Sequence, residues 1–408
     1  MNPSVGRSLR TVLALVCLAA LARRSDAQRS PSAEVAAGGS IRELLMAVGE
    51  SRSLFELSGS GAGKSSAVQG IQFESSNEAV VAVGTDGVMH AMRVGRASIT
   101  AVAPGFDGRL VTRGVDVRVL GRRGELIGSV VVGGRPFGVA VRADGLALVG
   151  RQDADSLSRI RLPRLAVAGS IGVGRDPGDI AFGPDGCRAY VTNVLGSSVS
   201  VVDVATGTEL GRFRVPGSPL RVLLSPDGSR VFATSSSGIL TVISSARDSV
   251  LETFRVGGVL NGIAARSDRA IVYLSSTAGD LVELDLERRR MAVIGRGMGR
   301  LQDIALAPDG QTLYAADEGG RLHALDLSTR QSRSVRLEAG AFGLRLHPGG
   351  SLLYVSQPGA GRVLIVSRLT LQTLATVEVG GQPRRIAFAP DGSFALVPNE
   401  RDRLDVVF

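Results

Sequence analysis

Charged residues recur at one position of a repeated unit, two residues after the residue that opens the unit's first strand. In chain order this position holds Gly138, Asp179, Arg221, Gly262, Asp303, Gly343 and Arg385. Two residues further on, the equivalent positions are small or aliphatic except for Arg345. Guanidinium and carboxylate groups that meet can form ion pairs, and an arginine in excess of its partners binds anions. The pattern therefore predicts either a structural ion-pair network or an anion site built on Arg345, with Arg221 or Arg385 as helpers.

A second set of equivalent positions, at the end of each unit's second strand, is polar throughout. It consists of Gln152, Asn193, Ser235, Ser276, Asp317, Gln357 and Asn399. Such residues often cap strands and turns. As a ring around a channel mouth they would also form a ligand surface, with Asn193, Asp317 and Asn399 as candidates.

The elements that position both sets are short strands separated by turns of the Pro-Asp-Gly type. The aligned turn positions are Asp144, Asp185, Asp227, Asp268, Asp309, Gly349 and Asp391, at intervals of 40–42 residues. A period of roughly 40–45 residues with four strands per unit is typical of β-propeller blades.

The last unit ends after its third strand, and the missing strand is predicted at the other end of the propeller. The segment 124–134 (GELIGSVVVGG) matches 371–381 (LQTLATVEVGG), which is the fourth strand of the preceding unit. An N-terminal strand that completes the C-terminal blade closes the ring and removes its free sheet edges. The sequence thus predicts a seven-bladed β-propeller over residues 124–408.

The unit resembles the YVTN-type β-propeller repeat. Residues 190–193 read YVTN, and VSVVDVATG follows at 199–207. The resemblance implies a fold shared with surface-layer and cell-envelope proteins. Related propellers include lactonases and subunits of periplasmic oxidoreductases, so the fold is implied more firmly than any activity.

The first 40 residues predict export. Arg7 and Arg10 precede a short apolar core at 11–22, and small residues follow, so 1–27 is interpreted as a secretory signal peptide and 28–40 as a linker. No later segment is apolar for long enough to span a bilayer. The formal net charge is +9, but the arginines are spread over every unit, which argues against nucleic-acid binding.

Residues 41–120 lack the later repeat and predict a small β-sandwich of short strands. The segment 76–105 contains Gly87-Val88, Gly95 and an Ile-Thr-Ala strand at 99–101, and resembles the bacterial Ig-like group 2 domain. The resemblance implies a spacer or adhesion module on an exported protein.

Residues for catalysis are few. His90, His323 and His347 occupy unrelated positions without metal-ligand spacing, and Cys187 has no histidine neighbour. The segment 59–66 (GSGAGKSS) resembles a phosphate loop, but its first glycine falls one position late. No catalytic residue, metal site or cofactor is therefore predicted.

We expect an exported, non-enzymatic binding or scaffold protein of the cell envelope, periplasmic or at the cell surface. Its partner would be a protein, an envelope component or a small anion. One alternative is a periplasmic lactonase-like hydrolase that uses Arg345 and acidic residues of the channel. Another is a partner subunit of a redox enzyme.

Overall fold

The computed structural model describes residues 43–49, 51–54, 71–93, 95–104, 110–122, 124–162 and 165–408. The predicted signal peptide, the linker and the segment 59–66 lie outside these residues. The chain divides into two compact units between residues 123 and 124. Apart from strands, the regular elements that fall wholly within the described residues are two one-turn 3-10 helices, Gln152–Ala154 and Pro358–Ala360. The predicted all-β class is confirmed.

The described residues of the first unit form two sheets. Its strands are β1 (Glu43–Val48), β2 (Ser51–Ser53), β3 (Gln72–Ser75), β4 (Val81–Val83), β5 (Val88–Ala91), β6 (Gly95–Pro104) and β7 (Leu110–Arg122). One sheet has the order β1-β7-β6-β3 and the other the order β2-β5-β4. The β1–β7 pair is parallel, while β6 and β7 form a long antiparallel pair.

The core of the first unit is shared by its two sheets. Met46, Ile99 and Val119 from one sheet and Val81 and Met89 from the other are buried in one apolar cluster. Strand β5 alternates between buried and more exposed residues, as expected where one face of a sheet lies against a core. The unit is a two-layer β structure.

The second unit contains seven four-stranded antiparallel sheets within its described residues. The first three are β9 (Pro136–Val141), β10 (Leu146–Arg151), β11 (Ser156–Arg161), β12 (Ala166–Gly172); β13 (Pro177–Phe182), β14 (Arg188–Asn193), β15 (Ser198–Asp203), β16 (Thr208–Arg214); and β17 (Pro219–Leu224), β18 (Arg230–Ser235), β19 (Ile239–Ser244), β20 (Ser249–Arg255). The next three are β21 (Leu260–Ala265), β22 (Ile271–Ser276), β23 (Leu281–Asp285), β24 (Arg290–Gly295); β25 (Leu301–Leu306), β26 (Thr312–Asp317), β27 (Arg321–Asp326), β28 (Ser332–Arg336); and β29 (Leu344–Leu346), β30 (Leu352–Gln357), β31 (Arg362–Ser367), β32 (Thr373–Glu378).

The seventh sheet joins the two ends of the unit. It pairs β33 (Ala387–Phe388), β34 (Ala395–Asn399) and β35 (Arg403–Val407) with β8 (Leu126–Val131). Strand β8 runs antiparallel to β35, with Ser129 opposite Asp405 and its hydroxyl 2.5 Å from that carboxylate. Because β8 precedes the other six sheets, its pairing is the one predicted from the match between 124–134 and 371–381.

Buried apolar residues lie between neighbouring sheets. Tyr190 of β14 is fully buried in a cluster with Val222 of β17 and Ile243 of β19. Its hydroxyl donates to Asp248 Oδ1 at 2.6 Å, beyond the end of β19. The middle strands are buried along most of their length, while the fourth strands, such as β16, are largely exposed. Each sheet therefore depends on the next for its core.

Five of the seven first strands carry a bulge near their beginning. In β13 the register passes from Pro177 opposite Asn193 to Ile180 opposite Val191, so Gly178 and Asp179 together oppose Thr192. Strands β9, β17, β21 and β25 show the same shift. A bulge interrupts the alternation of side chains between the two faces of a strand. In these five strands two successive residues can thus reach the same space.

Candidate functional site

Three charged residues from three different sheets meet in the interior of the second unit. Arg221 Nη2 lies 3.1 Å from Asp303 Oδ1, and Arg221 Nη1 lies 3.4 Å from Asp179 Oδ2. All three residues are at most 2% exposed. Removing charges from water is costly unless they are paired. The first strands β13, β17 and β25 thus bring together residues that the repeat alignment placed at one position.

The two aspartates also connect neighbouring sheets through the backbone. Asp179 Oδ2 accepts a hydrogen bond of 3.1 Å from the amide of Val222, and Asp303 Oδ2 accepts one of 3.2 Å from the amide of Leu344. In each case the donor lies on the first strand of the next sheet. The aspartates therefore have a structural role in addition to their charge.

Glycine occupies this position where the backbones come closest. A Cβ atom on Gly138 would collide with the carbonyl oxygen of Gly178, and one on Gly343 with that of Arg384. Gly178 lies at the start of β13, and Arg384 lies shortly before β33. Close approach of two backbones is a reason for glycine that is independent of φ.

Two further arginines border the same cluster. Arg385 Nη1 lies 3.3 Å from Asp303 Oδ2 and donates to the carbonyl of Gln302 at 3.3 Å. Arg345 is partly exposed, and its Nε donates to the carbonyl of Ile386 at 3.1 Å. The axial cluster, as we call Asp179, Arg221, Asp303, Arg345 and Arg385, holds three positive and two negative charges.

The surplus charge is unevenly distributed. Burial opposes the charge of Arg221, but Asp179 and Asp303 outweigh it and raise the pKa of Arg221. Burial likewise disfavours the Asp303 carboxylate, but Arg221 and Arg385 lower its pKa. Burial, reinforced by Arg221, lowers the pKa of Arg345 and lowers that of Arg385 to about 9. Arg345 and Arg385 are thus the cations for which the protein supplies too little negative charge.

A cavity of about 380 Å³ lies above this cluster and is bordered by Arg385. It is lined by one residue from the beginning of each of the seven sheets, at the position immediately before the charged one. These residues are Phe137, Gly178, Leu220, Asn261, Gln302, Phe342 and Arg384. In five sheets the bulge explains how both positions reach the same space, and in the other two both positions precede the first strand, β29 or β33.

Polar atoms of buried arginines near the cavity have no hydrogen-bond partner. Arg385 is 4% exposed, and its Nε is buried without a partner. The same holds for Nε of Arg221. A buried donor without a partner costs free energy. The cavity therefore adjoins a group that would gain from a bound acceptor.

Ion pairs neutralise the rim of the cavity. Arg384 Nε lies 2.8 Å from Glu400 Oε1, and Arg135 Nε lies 3.1 Å from Asp153 Oδ1. Asp176 also lies near Arg135, and burial raises its pKa. A second depression of about 420 Å³ adjoins the cavity at Glu400, but loop residues line it. The charge available to a ligand is that of the axial cluster.

In the polar ring at the ends of the second strands, Gln152 borders the cavity, whereas the other members are engaged within their own sheets. Asn193 Nδ2 donates to Ser198 and Ser200, and Asn399 Nδ2 donates to the Gly380 carbonyl at 2.7 Å. Asp317 Oδ1 accepts the amides of Arg300 and Gly319. These contacts fix loops.

The three ring residues that the sequence offered as ligand-binding candidates are also buried. Asn193, Asp317 and Asn399 are at most 4% exposed. None of them lines the cavity. The structure therefore brings together the charged candidates and leaves these polar candidates in the loops of their own sheets.

The histidines and the cysteine lie apart from the cavity. His347 Nε2 is 2.9 Å from the Gly392 carbonyl, Cys187 is exposed in a turn, and burial lowers the pKa of His323. Within the described residues, no group of three or more histidine, cysteine or acidic side chains could hold a metal ion. No helix of the described part is both long and apolar enough to cross a membrane.

Sequence comparison missed the cavity lining. The lining position varies in type between sheets, and the alternation expected of a regular strand assigns it to the opposite face from the charged position. The shared first-strand bulge brings it to the cavity. The signal in the sequence was that two phenylalanines, Phe137 and Phe342, occupy this position in their repeats.

Comparison with known proteins identifies the fold and leaves the family open. No protein-family model and no curated protein matches this chain. Among solved structures, a chain of hydrazine synthase from Kuenenia stuttgartiensis is similar, with a TM-score of 0.61 and 19% sequence identity. The match covers 67% of this chain and 95% of that chain. At this identity the likeness shows a shared architecture of repeated sheets alone.

Proposed function

We propose that this chain is an exported, non-enzymatic binding protein that recognises an anionic group at the mouth of a seven-bladed β-propeller. The carrying observation is Arg385, buried beside a cavity with too little negative charge around it. The axial cluster holds three arginines against two aspartates, and desolvation makes the remaining positive charge costly. A bound anion would supply the missing charge and accept from the unpartnered guanidinium nitrogen.

The seven-bladed propeller is supported by the seven successive four-stranded sheets and by the pairing of β8 with β35. Ligands of repeated-sheet architectures are bound where equivalent loops and strand ends converge. Here residues at or just before the first strands of all seven sheets converge on one cavity. The convergence supports recognition of a single small group at the axis.

The N-terminal unit is proposed as an Ig-like spacer. Its two sheets enclose one core, which supports a sandwich.

Export is proposed from the pattern of residues 1–27. If it is correct, N-terminal sequencing of protein recovered from outside the cytoplasm will begin at or near Gln28. Recovery of an intact N-terminus from the cytoplasm alone would contradict export.

The anion site is tested by calorimetric titration of the full chain with acetate and with inorganic phosphate at low ionic strength. We expect at least one of these anions to bind, and Arg385→Gln to weaken that binding. Arg290→Gln, an exposed change on β24, is the matched control and should bind as the unchanged protein does. If neither of these anions and no larger carboxylate bound, the proposal would be overturned.

The non-enzymatic part is tested separately with a panel of lactones. Arg345 donates a hydrogen bond to the carbonyl of Ile386, and its charged neighbours are other members of the axial cluster. We expect no turnover above the uncatalysed rate. Turnover that Arg345→Ala abolishes would contradict a binding-only function and favour the hydrolase.

A further inference from the structure

The cavity has an aromatic wall directly beside its cations. The rings of Phe137 and Phe342 meet edge to face with centroids 5.8 Å apart. The guanidinium carbon of Arg385 lies 4.8 Å from the Phe342 centroid, and that of Arg384 lies 4.9 Å from it. The two rings thus fix the positions of the arginines through cation–π contacts.

The two arginines differ in what they can offer a ligand. Arg384 is already paired with Glu400 at 2.8 Å and donates to Gln382 at 3.3 Å. Arg385 shares Asp303 with Arg221, and its Nε has no partner. Arg385 is therefore the donor that remains for a ligand.

We propose that the ligand is a small monocarboxylate with an apolar, ring-sized substituent. Its carboxylate would bind at Arg385, and its substituent would contact Phe137 and Phe342. The inference rests on the proposed anion binding and adds the chemical class of the ligand. One carboxylate matches the single surplus charge of the axial cluster.

The same observations disfavour other anions. A second negative charge on the ligand would lack a cation, because Arg384 and Arg135 already have acidic partners. It would also lie in a cavity that Asp176 and Glu400 border. A compact ion such as phosphate would leave the two phenylalanines without contact. A cavity of about 380 Å³ falls in the lower part of the range found for small-molecule sites.

The test compares four probes on the full chain by titration calorimetry: 3-phenylpropionate, acetate, inorganic phosphate and the neutral 3-phenylpropanamide. We expect 3-phenylpropionate to bind roughly tenfold or more tighter than acetate, because burial of a phenyl group adds favourable free energy. Phosphate and the amide should bind no tighter than acetate.

Two variants separate the cation from the aromatic wall. Arg385→Gln should weaken 3-phenylpropionate about tenfold or more, since it removes a buried charged donor. Phe342→Leu should weaken 3-phenylpropionate and leave acetate unchanged. Phe213→Leu is the matched control, because Phe213 packs against another apolar cluster and does not line the cavity.

A failure to fold is addressed by a double variant. Arg385→Gln combined with Asp303→Asn leaves two arginines and one aspartate, so the surplus of one charge is kept while the donor at the cavity is lost. We expect this variant to fold and to bind 3-phenylpropionate as weakly as Arg385→Gln does. Undiminished binding by the folded double variant would overturn the assignment to Arg385.

The remaining outcomes distinguish the two proposals. Equal affinities for acetate and 3-phenylpropionate, or tighter binding of phosphate, would overturn the inferred ligand class and leave anion binding intact. Tight binding of the neutral amide would overturn the role of the carboxylate. Absence of binding by all four probes would overturn anion binding itself.

Discussion

Two rings of repeated positions, both singled out by sequence, differ in how their polar atoms are satisfied. In the ring at the ends of the second strands, every residue except Gln152 is buried, and members such as Asn399 are bonded to loops of their own sheets. The ring near the start of the first strands crosses between sheets. There Arg221 and Arg385 share Asp303, and nitrogen atoms remain without partners.

The comparison shows why equivalent spacing alone does not identify a binding site. Both rings recur with the same period, and both contain side chains able to bind a ligand. A side chain whose bonds are complete has nothing left to offer, whereas a buried donor without a partner gains from one. Asn193 Oδ1 of the second-strand ring is also buried without a partner, but Asn193 does not line the cavity. Incomplete bonding beside the cavity, at Arg385, therefore points to the ring near the start of the first strands as the functional one.

The largest expected effect is on the stability of the first-strand ring. Asp303→Ala should lower the free energy of unfolding by about 3–5 kcal/mol, because two buried arginines lose their shared partner. Urea unfolding of the full chain measures it. Glu378→Gln, an exposed change on β32, should alter stability by less than about 0.5 kcal/mol. Equal stabilities of the two variants would show that Asp303 is not needed to balance the cluster.

A substitution of a buried residue in the ring at the ends of the second strands should change the stability of the protein and leave its ligand affinity unchanged. Asn399→Ala removes bonds to Gly380, Asp405 and Gln382 and should cost about 1–3 kcal/mol. Because Asn399 does not line the cavity, the folded variant should bind carboxylates with unchanged affinity in titration calorimetry. A folded variant that has lost carboxylate binding would return the second-strand ring to the ligand surface.

The two rings should also differ in their dependence on acid. Arg221 and Arg385 outweigh burial and hold the pKa of Asp303 below its usual value. The ionised Asp303 therefore contributes its full share to the stability of the fold above the pKa of the unfolded state, which is about 4. This contribution is lost as the pH falls through the lower pKa that Asp303 has in the folded protein. Asp303→Asn should remove this part of the acid dependence in unfolding measured against pH. Asn399→Ala, which removes no titrating group, should keep it; an unchanged profile in Asp303→Asn would contradict the assignment.

The smallest expected effect is that of a substitution in the segment with the YVTN sequence, residues 190–193. Tyr190→Phe removes the bonds from the hydroxyl to Asp248 and Ser245 and should cost about 1–2 kcal/mol in urea unfolding. Carboxylate affinity should stay the same, because Tyr190 lies between sheets away from the cavity. A marked change in carboxylate affinity would mean that the segment 190–193 contributes to binding.

The sequence predicted the architecture well because the fold depends on local and repeated signals. Turns at fixed intervals marked the strands, and the match between two distant segments predicted the pairing of β8 with β35. It also placed Asp179, Arg221 and Asp303 at equivalent positions, which is why their meeting could be expected. These are properties of pattern and period.

The cavity could not be predicted in the same way. The bulge opposite Thr192 is a backbone feature without a fixed residue type, and it decides that Gly178 and Asp179 reach the same space. The polar ring was similarly ambiguous, because a sequence does not show whether the bonds of Asn399 are satisfied. Both questions depend on distances between chain segments.

The most direct test is a crystal structure of the protein soaked with 4-iodobenzoate, with the iodine located by its anomalous scattering. We expect the strongest iodine peak in the cavity against Phe137 or Phe342, with the carboxylate at the guanidinium of Arg385. The Asn399 side chain should keep its bonds to Gly380 and Asp405. Iodine peaks confined to the exposed fourth strands, with an empty cavity, would contradict the account.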